Sequence, residues 1–236
     1  MIKVVCFDLD GTLLPMDQGR FIKGYIEALA AKVASVTPAQ PFINALLEAT
    51  AAMVMQPEAG RKNEERFWRQ FYRRLPLPEN VLKPLIDEFY RQDFDRLQKE
   101  TCTAAAAAQA VKAVKEAGRT AVLATNPLFP RLAVEKRVAW AGIAIEEFSH
   151  ITTYESEYYC KPDVRYYQDV LNRQGVLPEE CLMVGNDVEE DLVAGTIGVQ
   201  TVLVTDCLIN TKSLPEKADH KVTLQQLPAL LQDLLR

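Results

Sequence analysis

The spacing of apolar runs predicts an α/β protein, a doubly wound parallel sheet with an all-helical domain inserted after its first strand. Three observations carry this. Ile2, Val4, Val5, Cys6 and Phe7 form a compact, partly β-branched run that stops at Asp8. Similar short runs recur at residues 120–124, 149–152, 181–184 and 201–205, separated by helical stretches. Residues 16–100 break that rhythm, with amphipathic helical patterns and no convincing strand. The predicted division is a core of residues 1–15 and 101–236, and a helical domain of residues 16–100.

Taken in order, residues 2–7 read as a buried parallel strand, because a strand covered on both faces shows a continuous apolar run. Helices are expected over residues 18–36, 38–55, 63–74 and 79–97. Pro57 with Gly60 marks one break, and Pro76 with Pro78 another. Phe67, Trp68 and Phe71 fall at helical spacing, which predicts a packed helix with its arginines in solvent rather than a nucleic-acid surface. The alanine-rich stretch 103–117 is a further helix, closed by Gly118. Leu224, Leu227, Leu230, Leu231, Leu234 and Leu235 predict a last helix on the sheet.

The composition narrows the chemistry. With 48% hydrophobic and 25% charged residues the 236-residue chain is globular, and 27 basic against 32 acidic residues give a net charge of −5. No general attraction to nucleic acid or an anionic membrane is expected. No apolar run reaches the roughly 18 residues of a membrane span, and the N-terminus lacks a signal-peptide core, so a cytoplasmic protein is expected. The 5 cysteines are scattered, without a Cys-x-x-Cys pair, which predicts reduced thiols. Only 2 histidines are present. Any chemistry therefore falls to carboxylates.

Asp8-Leu9-Asp10-Gly11-Thr12-Leu13 follows the first strand directly. Ligands of open α/β sheets bind at the carboxyl ends of strands, and strand alternation puts Asp8 and Asp10 on one side. Two carboxylates so close repel unless a cation joins them, and Mg²⁺ suits such a set. Polar groups occupy the later strand ends as well: Thr125-Asn126, Lys161-Pro162-Asp163, and Gly185-Asn186-Asp187 through Asp191.

In these four segments and their order the sequence resembles the haloacid dehalogenase superfamily of phosphohydrolases. The resemblance covers most of the chain outside the insert and implies a Rossmann-like core. It implies that Asp8 is the nucleophile, forming a phospho-aspartate, and that Asp10 is general acid and then general base. Thr125 would hold the phosphoryl group, Lys161 would balance its charge, and Asp8, Asp10, Asp187 and Asp191 would surround Mg²⁺. The insert matches a helical cap at the family's first insertion point. Many relatives place an acid directly after the glycine of the fourth segment, where this chain has Asn186. Asp187 is then expected to be the direct ligand, with Asp191 acting through water; the alternative is coordination by Asn186.

Substrate contacts are expected from Arg61, Lys62 and Asn63, between two helices of the insert, and from Asn126. The loop 126–130 either lines the pocket or anchors in the core through Phe129. The resulting expectation is a Mg²⁺-dependent phosphatase acting on a small phosphorylated metabolite, with no nucleic-acid or membrane partner. A phosphomutase and a non-catalytic phosphate sensor are the alternatives; a dehalogenase has no use for an acid at position 10.

Overall fold

The computed structural model describes residues 1–58 and 60–236. Among them, β1 (Val4–Phe7), β2 (Thr120–Leu123), β3 (His150–Ile151), β4 (Cys181–Gly185), β5 (Gln200–Val204) and β6 (His220–Val222) form one sheet in the order β3-β2-β1-β4-β5-β6. Every neighbouring pair is parallel. β1 and β4 are buried along their whole length, as their unbroken apolar sequences require. The register sets Phe7 between Leu123 of β2 and Val184 of β4, so the chain leaves all three strands at one edge of the sheet. The strand order reverses about β1, which is where a crevice opens in this class of fold. The edge strand β6 was not anticipated, since His220-Lys221-Val222 is short, half polar and only partly buried.

Alternation along β1 feeds two layers. Val5 and Phe7 pack with Leu123, Leu182 and the helices α5 (Ala105–Glu116), α6 (Arg131–Trp140) and α8 (Leu227–Leu234). Val4 and Cys6 pack with Val122, Met183 and α7 (Val164–Gln174) on the other face.

Between β1 and α5 lie α1 (Gln18–Lys32), α2 (Ala39–Met55), α3 (Asn63–Arg74) and α4 (Glu79–Glu88), with no strand among the described residues of that segment. Asp17 starts α1 by accepting the Arg20 N–H at 3.0 Å. The segment leaves and rejoins the sheet-bearing part at one place, where Met16 bridges Thr101 and the Cys102 N–H donates to Pro15 O at 2.8 Å. The single helix expected over 79–97 is instead broken: α4 contains Pro84 and passes into a widened turn, Phe89–Asp93, and a tight one, Phe94–Glu100. The break lets Phe89, Tyr90 and Phe94 all reach Tyr25, with ring centroids 6.1, 6.4 and 6.3 Å away. Arg66 also departs from expectation. It is buried, not solvated, because its Nη1 donates to Met53 O (2.8 Å) and Gln56 O (2.9 Å) and so satisfies the last carbonyls of α2.

Candidate active site

Asp8 continues β1 by donating its N–H to Val184 O at 2.9 Å, and the chain then closes on itself. Leu14 N–H donates to Leu9 O and Gly11 N–H to Leu14 O, each at 2.8 Å. Gly11 sits at φ +85°, and a Cβ there would come within 2.4 Å of Asn186 Nδ2. Glycine is therefore required twice over, by conformation and by space. Thr12 Oγ1 donates to Asn186 Oδ1 at 2.8 Å and lies 3.4 Å from Asp8 Oδ2, which ties the first segment to the fourth.

Lys161 is wholly buried at the end of a loop following β3. Its Nζ donates to Asp8 Oδ1 at 2.9 Å and to Asp191 Oδ1 at 2.6 Å. Burial works against its charge, but Asp191 and Asp8 outweigh burial and hold the ammonium well above the ordinary lysine range. Asp191 is spent on structure: its second oxygen accepts the Asp187 N–H at 2.9 Å. A Cβ on Gly185 would fall 2.0 Å from that oxygen, so this glycine makes room for the carboxylate.

Asp10 faces a partner the sequence did not disclose. Arg137 of α6, also wholly buried, donates from Nη1 to Asp10 Oδ2, while its guanidinium lies 4.3 Å from the Phe129 ring. Burial raises the Asp10 carboxyl above its usual range, against the opposing pull of Arg137. Asp10 Oδ1 is buried without a hydrogen-bond partner.

Asp8, Asp10, Thr125, Asn126, Asn186 and Asp187 share one crevice of about 70 Å³. Thr125 is held at the end of β2 by its carbonyl, which accepts from Thr152 Oγ1 at 2.6 Å and Tyr166 OH at 3.0 Å. Asn126 bridges two loops, accepting the Lys161 N–H at 3.2 Å and donating to Glu190 Oε1 at 2.8 Å. Glu190 is a further wall of the crevice, and burial pushes its carboxyl up to about 8.

Among the described residues no three His, Cys, Asp or Glu side chains gather closely enough to cage a metal by themselves. The four expected carboxylates, Asp8, Asp10, Asp187 and Asp191, all border the one crevice, with Arg137 paired to Asp10 and Lys161 to both Asp8 and Asp191. Asn186 stands beside them with its Oδ1 accepting from Thr12 Oγ1 at 2.8 Å. Asp187 Oδ1 accepts the N–H groups of Glu189 (2.8 Å) and Glu190 (2.9 Å), leaving Oδ2 free of them. Such a donor set fits a hard cation that takes few carboxylates and keeps several waters.

Three expected substrate contacts lie elsewhere. Lys62 donates to Ser156 O and sits 3.7 Å from the Tyr158 ring centroid. Asn63 is fully buried, with Nδ2 3.3 Å from Cys160 Sγ and its N–H on Glu157 O at 2.9 Å. Arg61 pairs with Glu58 at 3.5 Å. Lys62 and Asn63 fasten the start of α3 to the 153–160 loop, Arg61 pairs locally, and none of the three borders the crevice, whereas Ile22, Leu128 and Phe129 do. Phe129 also anchors, edge-on to Tyr25 at 5.1 Å. Cys160 is buried and its thiol is pushed up to about 12, the environment of a packed and not a reactive cysteine.

Asp8, the buried Lys161 and the partly buried Asp10 thus meet at the strand ends of an open α/β sheet. The family profile described as haloacid dehalogenase-like hydrolase matches residues 2–196, and the chain belongs to that family of enzymes. A glyceraldehyde 3-phosphate phosphatase of Methanothermobacter thermautotrophicus is 31% identical over 74 residues, a match covering 31% of this chain and only 30% of that enzyme. Among solved structures, a 2-haloacid dehalogenase from Pseudomonas syringae aligns over 99% of this chain and 100% of its own with a TM-score of 0.66 and 21% identity. A HAD phosphatase from Thermococcus onnurineus aligns over 98% of both chains with a TM-score of 0.60 and 18% identity. These likenesses are of fold. Among the described residues no helix is long and apolar enough to cross a membrane.

Proposed function

We propose that the protein is a Mg²⁺-dependent phosphomonoesterase working through a phospho-aspartate on Asp8, with the helical segment as a cap over the crevice. The observation that carries this is Asp10: a second carboxyl, buried and shifted toward its protonated form, beside the Lys161-held Asp8. Displacement at carbon by a carboxylate needs no proton donor for the leaving halide, whereas expulsion of an alkoxide from phosphorus does.

In the first half-reaction an Asp8 oxygen forms the bond to phosphorus while the ester P–O bond breaks, and the departing alkoxide takes the Asp10 proton. In the second, Asp10 as carboxylate removes a proton from water. That oxygen attacks phosphorus, the Asp8–phosphorus bond breaks, and phosphate and the original carboxylate result. Lys161 offsets the repulsion between Asp8 and an anionic phosphoryl group, and Thr125 and Asn126 supply polar groups on the same crevice. Asp8 and Asp187, with Asp10 and Asp191 on the same crevice, would hold Mg²⁺, which would supply charge neutralisation at the phosphoryl oxygens.

Asp8→Asn tests the reading, since the amide is close in size but a poor nucleophile. Phosphatase activity is expected to vanish with unchanged far-ultraviolet circular dichroism, and activity of the parent to disappear with chelator and return with Mg²⁺. Near-normal turnover by the folded variant rejects Asp8 as nucleophile.

A further inference from the structure

We infer that the leaving group of the substrate is a neutral, predominantly apolar alcohol, seated in a second cavity between the helical segment and the 128–130 loop of the core; this deepens the phosphomonoesterase reading and rests on it. The crevice around Asp8 and Asp10 is small, about 70 Å³, and its polar groups converge on the reacting end of a substrate. The remainder of the molecule must therefore extend past its walls. One way out passes Gln18, Asn186 and Ile209, which also border a polar cleft with Arg20 and Lys99; the other is the apolar side, which is favoured because its cavity is the more enclosed. Three of those walls, Ile22, Leu128 and Phe129, also bound a separate cavity of about 110 Å³.

That cavity is of another character. Leu29, Phe67, Trp68, Phe71 and Ile86 make up much of its lining, and among the described residues no Asp, Glu, Lys, Arg or His contributes to it. Its polar side-chain groups are the indole of Trp68, whose N–H is buried without a partner and can serve one acceptor, and a few hydroxyls, of which those of Tyr25, Tyr90 and Thr50 are engaged. Tyr25 and Tyr90 share a hydrogen bond of 2.7 Å, and Thr50 Oγ1 donates to Leu46 O at 2.9 Å. Arg137, a buried cation against the Phe129 ring, is committed to Asp10, and Arg66, buried in the helix that carries Phe67 and Phe71, is committed to backbone carbonyls and Asn63.

A carboxylate or second phosphate on the leaving group would lose water here without gaining a counter-ion, and a polyol would leave hydroxyls unpaired. A hydrocarbon chain suffers neither penalty, and each methylene it buries improves transition-state binding by about fourfold. The walls thus select against charged phospho-acids and in favour of branched, linear or cyclic alkyl monophosphates.

The test is a series of substrates on the purified full chain with Mg²⁺: ethyl, butyl and hexyl phosphate, set against phosphoglycolate. Leaving-group basicity is nearly constant along the alkyl series, so a trend reports binding. We expect kcat/KM to rise by about fourfold per methylene until the cavity is filled, and butyl phosphate, with two more carbons than phosphoglycolate and no carboxylate, to exceed it by at least about sixteenfold. Thr50→Arg, which puts a cation on the wall, is expected to lower kcat/KM for butyl phosphate about tenfold and to raise that for phosphoglycolate. Should that variant misfold, Asp8→Asn protein supplies a second measure: butyl phosphate is expected to perturb Trp68 fluorescence at lower concentration than phosphoglycolate. A flat alkyl series, or a preference for phosphoglycolate, in protein that hydrolyses ethyl phosphate overturns the inference and leaves the phosphomonoesterase reading standing. Failure to hydrolyse any of the esters overturns both.

Discussion

Arg137 and Asp10, 127 positions apart in the chain, meet just past β1 as an ion pair whose guanidinium is wholly buried and whose carboxylate is partly so. The guanidinium fixes the carboxylate through Oδ2 and leaves Oδ1 without a partner, the arrangement a proton donor toward a leaving group needs. Removing one member of a buried pair strands the other. Arg137→Met is expected to destabilise the fold by about 3–5 kcal/mol in urea denaturation. Arg137 also opposes the burial that raises the Asp10 carboxyl. Its loss should therefore move the limb on which kcat/KM falls with rising pH to higher pH, while Arg137→Lys restores part of the stability. An unchanged limb in a folded Arg137→Met protein would detach Arg137 from Asp10 in function.

Asn186 and Asp187 should separate structure from metal binding. Asn186 spends its amide on Thr12 Oγ1 at 2.8 Å and on Cys207 O at 2.6 Å, so Asn186→Ala leaves two buried groups unpaired and is expected to cost about 1–3 kcal/mol. Asp187 keeps an oxygen free on the crevice. Asp187→Ala is expected to raise the Mg²⁺ concentration for half-maximal activity at least about tenfold, and more than Asn186→Ala does. The reverse order in a metal titration would make Asn186 the ligand.

Residues 61–63 at the start of α3 should act on stability and not on substrate choice. Asn63→Ala removes one of the acceptors of Arg66 and a buried amide, and a loss of about 1–3 kcal/mol is expected in denaturant. Arg61→Ala, at an exposed pair, is expected to change stability by less than about 0.5 kcal/mol. Relative kcat/KM values across a substrate panel should be unchanged in both. A change confined to one substrate would return this loop to the pocket.

What could be seen in the sequence were features whose cause is local. Asp8 through Leu13 was legible because a positive-φ glycine and two close acids leave few alternatives for that spacing. β1, β4 and the starts of α3 and α4 were legible from unbroken apolar runs and prolines. Arg137 was not, because its burial depends on Asp10 and Phe129 arriving from other elements, and on a helix an arginine ordinarily points to solvent. Lys62 and Asn63 misled for the same reason: polar residues in a loop resemble ligand contacts until their partners, Ser156 and Cys160, are placed. The divided labour of the fourth segment, with Asp191 on Lys161 and Asp187 on the crevice, likewise depends on a lysine from another strand end.

Glu190 gives the site a pH signature that can be read without substrate. Burial raises its carboxyl from 4.5 to about 8, with Lys161 opposing and the neighbouring acids adding to the rise. Between those two values the native state holds a proton that the unfolded chain has released. Stability contributed by that proton is therefore complete below about pH 4.5 and is lost as pH rises toward 8. Other carboxyls of the site titrate in overlapping ranges, so the difference between two proteins is the informative quantity. Glu190→Gln keeps an acceptor for Asn126 Nδ2 and abolishes the titration. In chelator, unfolding free energies of the parent are expected to decline from pH 5 to pH 8 more steeply than those of the variant, so that Glu190→Gln gains relative stability as the pH rises. Parallel curves over that range would mean that Glu190 is ionised throughout, and its side chain would then be available to a cation instead of serving as a neutral wall of the crevice.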